Sequence, residues 1–514
     1  MKDEENSFVD MNVFDLVKLD ETNFDKLIGC KWVFTTKSDS QGIVSRFKAR
    51  LVAKGYCQVK GVDYDETFAP VARIATVRLL VSTALTKGHV IHQMDVKTAF
   101  LYGNIDKDVF VSCPQEFSCY KEGYCMKLNK SLYGLKQAPK IWYENLRDSL
   151  IEYGFTETNS SPCLFSKNNV FVLLYVDDIL ISGELHKVNE VKEFLSTKYQ
   201  IADLGEIRQF LNIMFTPIEN GYIMTQTKQI NEILKDYQME NCNGKYIPIS
   251  NTKEDPNSKL LNEEFKKKYE EGLGRLQYIS RHTRPDIAFS VHKLYRHLKH
   301  TTEQDWERFK GVLHYLKKTK YEGITITSNT NSESTRCYVD ANFTPDRDDG
   351  VCTSGVVIYH HNNPVVWLSC KQKITNQKGE EEEKAALSTM EAEYYALVEG
   401  AKRVLWTRNM LEVLSPNALK SITPIYEDNE SCIKFAKGNA SMHTNAMHIR
   451  RQSFIRIEVK HGNIRIEGIA TNENIADIFT KPLGRIRFKE HKLKLCAVNN
   501  KAEEVDKLRI QEIE

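Results

Sequence analysis

The sequence predicts a chain of mixed α+β and α/β architecture, and three observations carry that expectation. The first is an apolar run broken at its centre by two acids, Phe171-Val-Leu-Leu-Tyr-Val-Asp-Asp-Ile-Leu-Ile181, which reads as strand, turn, strand. The second is a stretch, residues 260–325, with helical periodicity throughout. The third is a change near residue 334 to strand, hairpin, long helix and strand. For 514 residues, a prior of about 150 residues per domain gives roughly three domains.

The elements follow in order. Residues 1–27 are polar and acidic and are expected to be a short or poorly ordered lead-in. Lys31-Trp-Val-Phe-Thr35 and Arg50-Leu-Val-Ala53 read as strands, and residues 77–85 as a helix closed by Gly88. Val90-Ile-His-Gln-Met-Asp-Val-Lys97 reads as a short strand carrying Asp95. Residues 141–153 form an amphipathic helix with Trp142, Leu146, Leu150 and Tyr153 on one stripe. Residues 250–259, rich in Asn, Asp, Pro and Ser, read as a linker. In the helical stretch, Ile287, Val291, Leu294 and Leu298 make one seam after a start near Pro285, and Trp306, Phe309, Leu313 and Leu316 a second. Then Arg336-Cys-Tyr-Val339 leads into Asp340, and residues 354–359 and 364–369 flank a His-His-Asn-Asn turn. A long helix is expected over 385–411, followed by a strand over 422–426 that ends at Asp428.

Bulk composition narrows the class. Hydrophobic content of 41% and charged content of 27% suit a globular chain. No apolar run approaches the ~18 residues of a membrane span, and Met1-Lys-Asp-Glu-Glu-Asn6 lacks the apolar core of a signal peptide. The 12 cysteines include no Cys-x-x-Cys pair, so neither a zinc site nor a disulfide framework is expected, and a reducing intracellular compartment fits. Net charge is only +2, but between residues 275 and 320 eleven Lys and Arg face four Asp and Glu, a local +7. Such a block suits either a phosphate backbone or a solvated helical face.

The chemistry is in the acids. Two carboxylates inside an apolar run cost several kcal/mol unless a positive charge compensates them. A divalent cation such as Mg²⁺ does so and keeps positions open for phosphate. Asp95 on one strand with Asp177 and Asp178 in a later hairpin is the arrangement of a two-metal phosphoryl-transfer site. The competing reading, a solvated turn, is opposed by the apolar flanks. Asp340, Asp428 and Asp477 each follow an apolar segment or stand at its end, and Glu391 and Glu393 lie early in the long helix. Strand-end acids plus one helical acid can gather around two further cations. Helix positions two apart point roughly 200° apart, so only one of the two glutamates should join.

These residues carry a resemblance. Tyr175-Val-Asp-Asp178 resembles the active-site motif of reverse transcriptases, and its surroundings are similar to the Pol polyprotein of copia-type LTR retrotransposons. The matching stretches, in the family's order, are Phe47-Lys-Ala-Arg-Leu-Val-Ala-Lys-Gly55, Asp65-Glu-Thr-Phe-Ala-Pro-Val-Ala-Arg73, His92-Gln-Met-Asp-Val-Lys-Thr-Ala-Phe-Leu101, Leu132-Tyr-Gly-Leu-Lys-Gln-Ala-Pro139, Thr283-Arg-Pro-Asp-Ile287 and Ala476-Asp-Ile-Phe-Thr-Lys-Pro482. Tyr338-Val-Asp340, Thr389-Met-Glu-Ala-Glu-Tyr-Tyr-Ala-Leu397 and Glu427-Asp-Asn429 resemble the ribonuclease H portion, and Glu393-Tyr-x-Ala-Leu matches the helical run of retroviral ribonucleases H. Glu393 is therefore the expected helical ligand, with Glu391 in reserve.

The resemblance implies a right-hand polymerase and its companion nuclease. Residues 28–250 would be fingers and palm, 251–333 a linker and helical connection or thumb, 334–490 a ribonuclease H-like domain, and 491–514 a charged tail. Asp95, Asp177 and Asp178 would hold two Mg²⁺, with Mn²⁺ as a substitute, and polymerise DNA on an RNA template from a DNA primer and deoxynucleoside triphosphates. Asp340, Glu393, Asp428 and Asp477 would hold two more and cut the RNA strand of the RNA–DNA hybrid. Phe100 would lie under the sugar and exclude a 2′-hydroxyl, although simple packing explains it equally well; Lys48, Arg50 and Tyr133 are further substrate-binding candidates. The resemblance implies work in the cytoplasm or within virus-like particles, beside other parts of the same polyprotein. No zinc knuckle, aspartic-protease or integrase motif is found, so the chain is expected to be a polyprotein piece or a truncated copy. The sequence also departs from the family. There is an acidic insertion at 379–384, His448-Ile-Arg450 replaces His-Ile-Asp, Phe343 replaces Trp, and Phe210-Leu-Asn212 replaces Phe-Leu-Gly. The alternative expectation is a decayed or host-adopted, non-catalytic nucleic-acid-binding remnant.

Overall fold

The computed structural model describes residues 1–20, 24–38, 44–158, 160–328, 335–343, 349–375, 381–383, 386–438 and 446–499. The chain divides into two compact units, Met1–Ala72 with Val90–Glu206, and Arg73–His89 with Ile207–Glu514. Among the described residues no helix is long and apolar enough to cross a membrane.

The first unit begins with α1 (Lys2–Asp10), β1 (Phe14–Lys18), β2 (Leu27–Ile28), β3 (Cys30–Ser38) and β4 (Val44–Ala53). After α2 (Ile74–Thr86), which belongs to the second unit, it resumes with β5 (Val90–Val96), β6 (Phe110–Ser112), β7 (Tyr124–Leu128), α3 (Ala138–Glu152), β8 (Thr156–Thr158), β9 (Ser161–Lys167), β10 (Val170–Tyr175), β11 (Asp178–Gly183), α4 (Leu185–Lys198) and β12 (Ile201–Glu206). Its largest sheet has the order β12-β5-β11-β10-β9-β8, antiparallel throughout. Val170 to Leu174 and Ile179 to Gly183 are all buried, which explains why this hairpin reads as one apolar run.

The polar N-terminus is not a loose lead-in. Phe8 and Val13 join a buried cluster with Leu51, Val111 and Met126, and β1 pairs with β7 at the edge of a four-stranded sheet. Its charges mislead because Lys2, Asp3 and Asp10 are exposed while Phe8 and Glu4 on the same helix are buried, Glu4 accepting the Leu51 N–H at 3.2 Å. The β3–β4 hairpin ends in a close crossing. The Ala53 N–H donates to the Tyr133 carbonyl at 2.8 Å, and a Cβ on Gly134, whose φ is +92°, would stand 2.2 Å from the Ala53 carbonyl oxygen. Only glycine fits there.

The second unit continues with β13 (Gln209–Phe210), β14 (Ile213–Ile218), β15 (Gly221–Thr225), α5 (Thr227–Asp236), α6 (Glu263–His282), α7 (Ala288–Arg296), α8 (Glu303–Lys318) and β16 (Glu322–Thr327). The stretch 260–325 is thus helical only to Lys318. Glu322–Thr327 is a strand paired with β15, because Ile324 and Ile326 alternate inward with the two-residue period of a sheet. The Thr283-Arg-Pro-Asp-Ile287 motif is structural. Arg284 and Asp286 form a fully buried ion pair, with hydrogen bonds of 3.0 and 2.7 Å, closed by the Thr319 carbonyl and hydroxyl and the Tyr315 hydroxyl.

The C-terminal part comprises β17 (Thr335–Asn342), β18 (Thr353–His360), β19 (Asn363–Lys371), β20 (Lys373–Thr375), β21 (Glu381–Glu383), α9 (Thr389–Leu414), β22 (Thr423–Glu427), α10 (Glu430–Ala436), α11 (Ala446–Lys460), β23 (Ile464–Gly468), α12 (Arg485–Leu493) and β24 (Ala497–Val498). One sheet has the order β19-β18-β17-β22-β23. β17, β18 and β19 form an antiparallel meander, and β22 and β23 add in parallel. With α9 packed on β17 and β18, this is the ribonuclease H-like topology. The long helix begins at Thr389 rather than 385, because the Ser388 hydroxyl caps it by accepting the Glu391 N–H at 3.2 Å. Of the acidic insertion, residues 381–383 form β21, paired with β20, so they are not part of the helix; 379–380 and 384 lie outside the described residues. Of the tail, 497–498 pair with β16, and 500–514 lie outside the described residues.

Candidate functional site

Two sets of carboxylates are assembled, one in each unit. In the first, β5 and β11 pair so that Asp95 stands directly opposite Asp178. Residues opposed in an antiparallel ladder project from the same face of the sheet. Asp177 occupies the β10–β11 turn, and its carbonyl accepts the Val96 N–H at 3.1 Å. All three acids are half-buried. The side-chain amide of Gln93 donates to Asp178 Oδ1 at 3.0 Å.

The turn is strained and held. Val176 has φ of +58°, a conformation that costs a β-branched residue about 1–3 kcal/mol. Its carbonyl accepts the Trp142 indole N–H at 2.6 Å. Trp142 is 1% exposed and packs edge-on against Tyr199. Sequence reasoning placed Trp142 on a packing stripe and missed this bond, which no periodicity encodes.

Three of the four substrate-binding candidates gather around Tyr133. Phe100 meets Tyr133 edge-on with centroids 4.8 Å apart, and the Arg50 guanidinium lies 5.3 Å from the Tyr133 ring. Burial pushes the Tyr133 phenol up to about 12, against the Arg50 charge and with the Asp177 charge adding. Phe100 is also packed against the apolar cluster that contains Leu132. Lys48 is two residues from Arg50 on β4 and so shares its face.

The second set is tighter. Asp340 lies on β17, Glu393 on the first turns of α9, Glu427 at the end of β22 with Asp428 after it, and Asp477 in a 3-10 turn, Ile475–Phe479. Carboxylate oxygens of Asp340, Asp428 and Asp477 lie within 4.8 Å of one another, and so do those of Glu393, Glu427 and Asp428. Asp428 belongs to both groups. Asp477 is brought in by close packing: a Cβ on Gly355 would stand 2.9 Å from the Ala476 carbonyl, and Asn474 donates to the Val339 carbonyl at 2.8 Å.

Electrostatics separate this cluster from an ordinary buried network. Burial pushes Asp340 up to about 7, with Lys481 opposing and Asp477 adding. Burial also raises Glu393, with Glu427 and Asp340 adding, and raises Glu427. The cations nearby are Lys481, 2.6 Å from Asp477 and 3.6 Å from Asp340, and Arg487 on Asp477. Among the described residues, Oε2 of Glu393 and Oε2 of Glu427 are buried without a hydrogen-bond partner. Buried acids that crowd each other with open oxygens fit hard divalent cations, so the donor set suits the expected metal.

Glu391 is engaged elsewhere. It accepts the Leu387 N–H at 2.7 Å and the Tyr395 hydroxyl at the helix start, while Glu393 is the helical acid in the cluster. Sequence reasoning missed Glu427 although it quoted the motif. The signal was there: Thr423, Ile425 and Glu427 alternate inward along β22, so Glu427 shares the buried face.

Among the described residues, six of the eleven basic side chains of the local +7 block are paired with acids. Arg284 pairs with Asp286, Arg296 with Asp349, Arg308 and Lys293 with Glu254, Arg275 with Asp236, and Lys310 with Glu307. Sequence counting missed this because three of the five acidic partners lie outside the block. The Phe210-Leu-Asn212 departure also has a local reason. Leu211 and Asn212 have φ of +52° and +56° in the two-residue turn between β13 and β14; Asn tolerates the position that glycine otherwise fills. Phe343 is 39% exposed. The side chains of His448 and Arg450 lie outside the described residues.

Residues 11–251 of the chain match the family described as reverse transcriptase (RNA-dependent DNA polymerase). More particularly, the chain is a relative of copia-type Pol polyproteins. It is 34% identical over 481 residues to the retrovirus-related Pol polyprotein from transposon RE1 of Arabidopsis thaliana, covering 91% of this chain and 32% of that one. It is 33% identical over 505 residues to the corresponding polyprotein from transposon TNT 1-94 of Nicotiana tabacum, covering 95% and 37%. The chain therefore spans about a third of the length of these relatives. Among solved structures, a foamy viral protease-reverse transcriptase in complex with double-stranded DNA aligns at 12% identity and a TM-score of 0.49, over 90% of this chain and 68% of that one.

Proposed function

We propose that the chain is an RNA-directed DNA polymerase with an attached ribonuclease H, each using its own carboxylate set. The observation that carries this reading is the pairing of Asp95 with Asp178 beside the Asp177 turn, in a chain whose residues 11–251 match the reverse transcriptase family. Asp95, Asp177 and Asp178 would hold Mg²⁺ at the polymerase site. Asp340, Asp428 and Asp477 would hold one ion at the nuclease site, and Glu393, Glu427 and Asp428 the other. When bound, such ions lower the pKa of a nucleophile and neutralise phosphate charge.

The chain's own residues do the positioning. Trp142 fixes the turn that presents Asp177. Phe100 and Tyr133 form a wall beside the acids against which a deoxyribose would pack and a 2′-hydroxyl would clash. Lys48 and Arg50 would meet the triphosphate. Gln93 keeps one Asp178 oxygen oriented. At the second site, Lys481 and Arg487 orient Asp477, and the raised Asp340, Glu393 and Glu427 become full ligands only once a cation offsets their mutual repulsion. The substrates are an RNA template, a DNA primer, deoxynucleoside triphosphates and the resulting RNA–DNA hybrid, which a protein reads by backbone shape and 2′-hydroxyls.

The non-catalytic remnant is not favoured: the pairing of Asp95 with Asp178 and the crowding of carboxylates around Asp428 support a catalytic reading. Primer extension on a homopolymer RNA template tests the reading. Extension should require Mg²⁺ or Mn²⁺, stop with a chelator and favour deoxynucleotides. A folded protein that binds the primer–template but extends nothing at any metal concentration would restore the remnant reading.

A further inference from the structure

A pocket of about 480 Å³ opens in the second unit among α2, α6, α7, β19 and α9, a volume in the range of small-ligand sites. Four arginines line it, Arg73, Arg78, Arg281 and Arg403, with His292, and among the described residues no Asp or Glu does. It involves none of the carboxylates described above.

Its floor is unusual. Arg78 is 3% exposed. Its guanidinium donates to the carbonyls of Val365 at 2.8 Å, Arg281 at 3.0 Å and His282 at 3.1 Å, and lies 3.7 Å from the Trp367 ring centroid. Among the described residues no carboxylate pairs with it. Burial, with no acid to oppose it, pulls its pKa down to about 9. A buried charge normally carries a paired anion, because unpaired burial is costly. Arg284, Arg296 and Arg308 in the same unit follow that rule; Arg78 does not. At the rim, Arg73 and Arg281 are exposed; Arg73 stands 5.7 Å from the Trp406 ring. Arg403 is held by Glu399, which does not line the pocket.

We propose that this pocket binds a phosphate group, with Arg73 and Arg281 gripping it and Arg78 supplying positive charge from below. Guanidinium groups match phosphate oxygens bidentately, and the aromatic and aliphatic lining, Trp367, Tyr295 and Val291, suits the sugar beside it. The phosphate comes either from the backbone of the hybrid, which rests on the function proposed above, or from a free phosphate, which does not.

The test is the full chain carrying Arg73→Gln and Arg281→Gln, with Lys317→Gln and Lys318→Gln as an equal change of charge elsewhere in the unit. Two ligands are measured separately: inorganic phosphate, and an RNA–DNA hybrid across a salt series. If the pocket holds a backbone phosphate, the arginine pair flattens the plot of log affinity against log salt by roughly 0.7–0.9, the value for one phosphate contact, and more than the lysine pair does. If it holds free phosphate, the slope is unchanged but phosphate affinity falls about tenfold or more, again only in the arginine variant. Arg73→Lys with Arg281→Lys keeps the charge and should preserve the salt slope, but it loses bidentate contact and should still weaken phosphate affinity. If neither ligand distinguishes the arginine variant from the lysine control, the pocket is not a phosphate site. Failure of the wild type to bind hybrid at all would instead overturn the polymerase reading, and the inorganic-phosphate arm would still judge the pocket.

Discussion

Val176 pairs an unfavourable backbone with a strong anchor. A β-branched residue at φ of +58° stays there only if its surroundings insist, and Trp142 is the group that insists. Trp142→Phe keeps the ring and removes the donor. Primer extension should fall about 10–100-fold through mispositioning of Asp177, while hybrid cleavage at the other site stays unchanged. Equal loss of both, with a lowered melting temperature, would make Trp142 a packing residue only. The two helical glutamates separate in the same way. Glu393→Gln should lower RNA cleavage about 100-fold through lost metal affinity. Glu391→Gln should cost about 1 kcal/mol of stability at the helix start and leave the cleavage rate nearly unchanged at a temperature where the variant is folded. The reverse order of effects in a cleavage assay would exchange their roles. The 200° argument from sequence could say only that one glutamate is in and one out; the resemblance named Glu393, and in the structure Glu391 is engaged by Leu387 and Tyr395.

At the scale of elements, strands and helices with a strong period were legible: the hairpin at Asp177, the strand of Asp95, the α3 stripe, and the β18–β19 hairpin about His361 and Asn362. What failed was context. α1 looks solvated because its sequence cannot show what Phe8 buries against. The +7 block looks like a nucleic-acid surface because residue counting ignores Glu254, Asp236 and Asp349, which are distant in sequence. Arg284 and Asp286, read as a family signature, form a buried clasp joining the start of α7 to the end of α8. Breaking a buried pair on one side leaves an uncompensated charge and costs about 3–5 kcal/mol. Arg284→Met should therefore lower the unfolding free energy read from denaturant titration by that much, and adding Asp286→Leu should recover part of it, since apolar replacement of a buried pair is often neutral. If the double variant is less stable than the single one, the pair contributes more than charge balance.

For the whole molecule, the ordered motifs placed seven acids in two sets, and the structure brings the second set together around Asp428. Glu427, Lys481, Arg487 and the arginine pocket were not read from the sequence. Their roles depend on three-dimensional neighbours, and only Glu427 had a signal in strand alternation. The central claim is that the two carboxylate sets, which lie in different units, do different work. One measurement tests it most directly: DNA extension and RNA cleavage followed together on one doubly labelled RNA template with a DNA primer, in Mg²⁺, for the wild type, Asp177→Asn and Asp428→Asn. Asp177→Asn should lose extension and keep cleavage, and Asp428→Asn should lose cleavage and keep extension. A chelator should stop both. A folded variant in which either single substitution abolishes both activities would contradict the account.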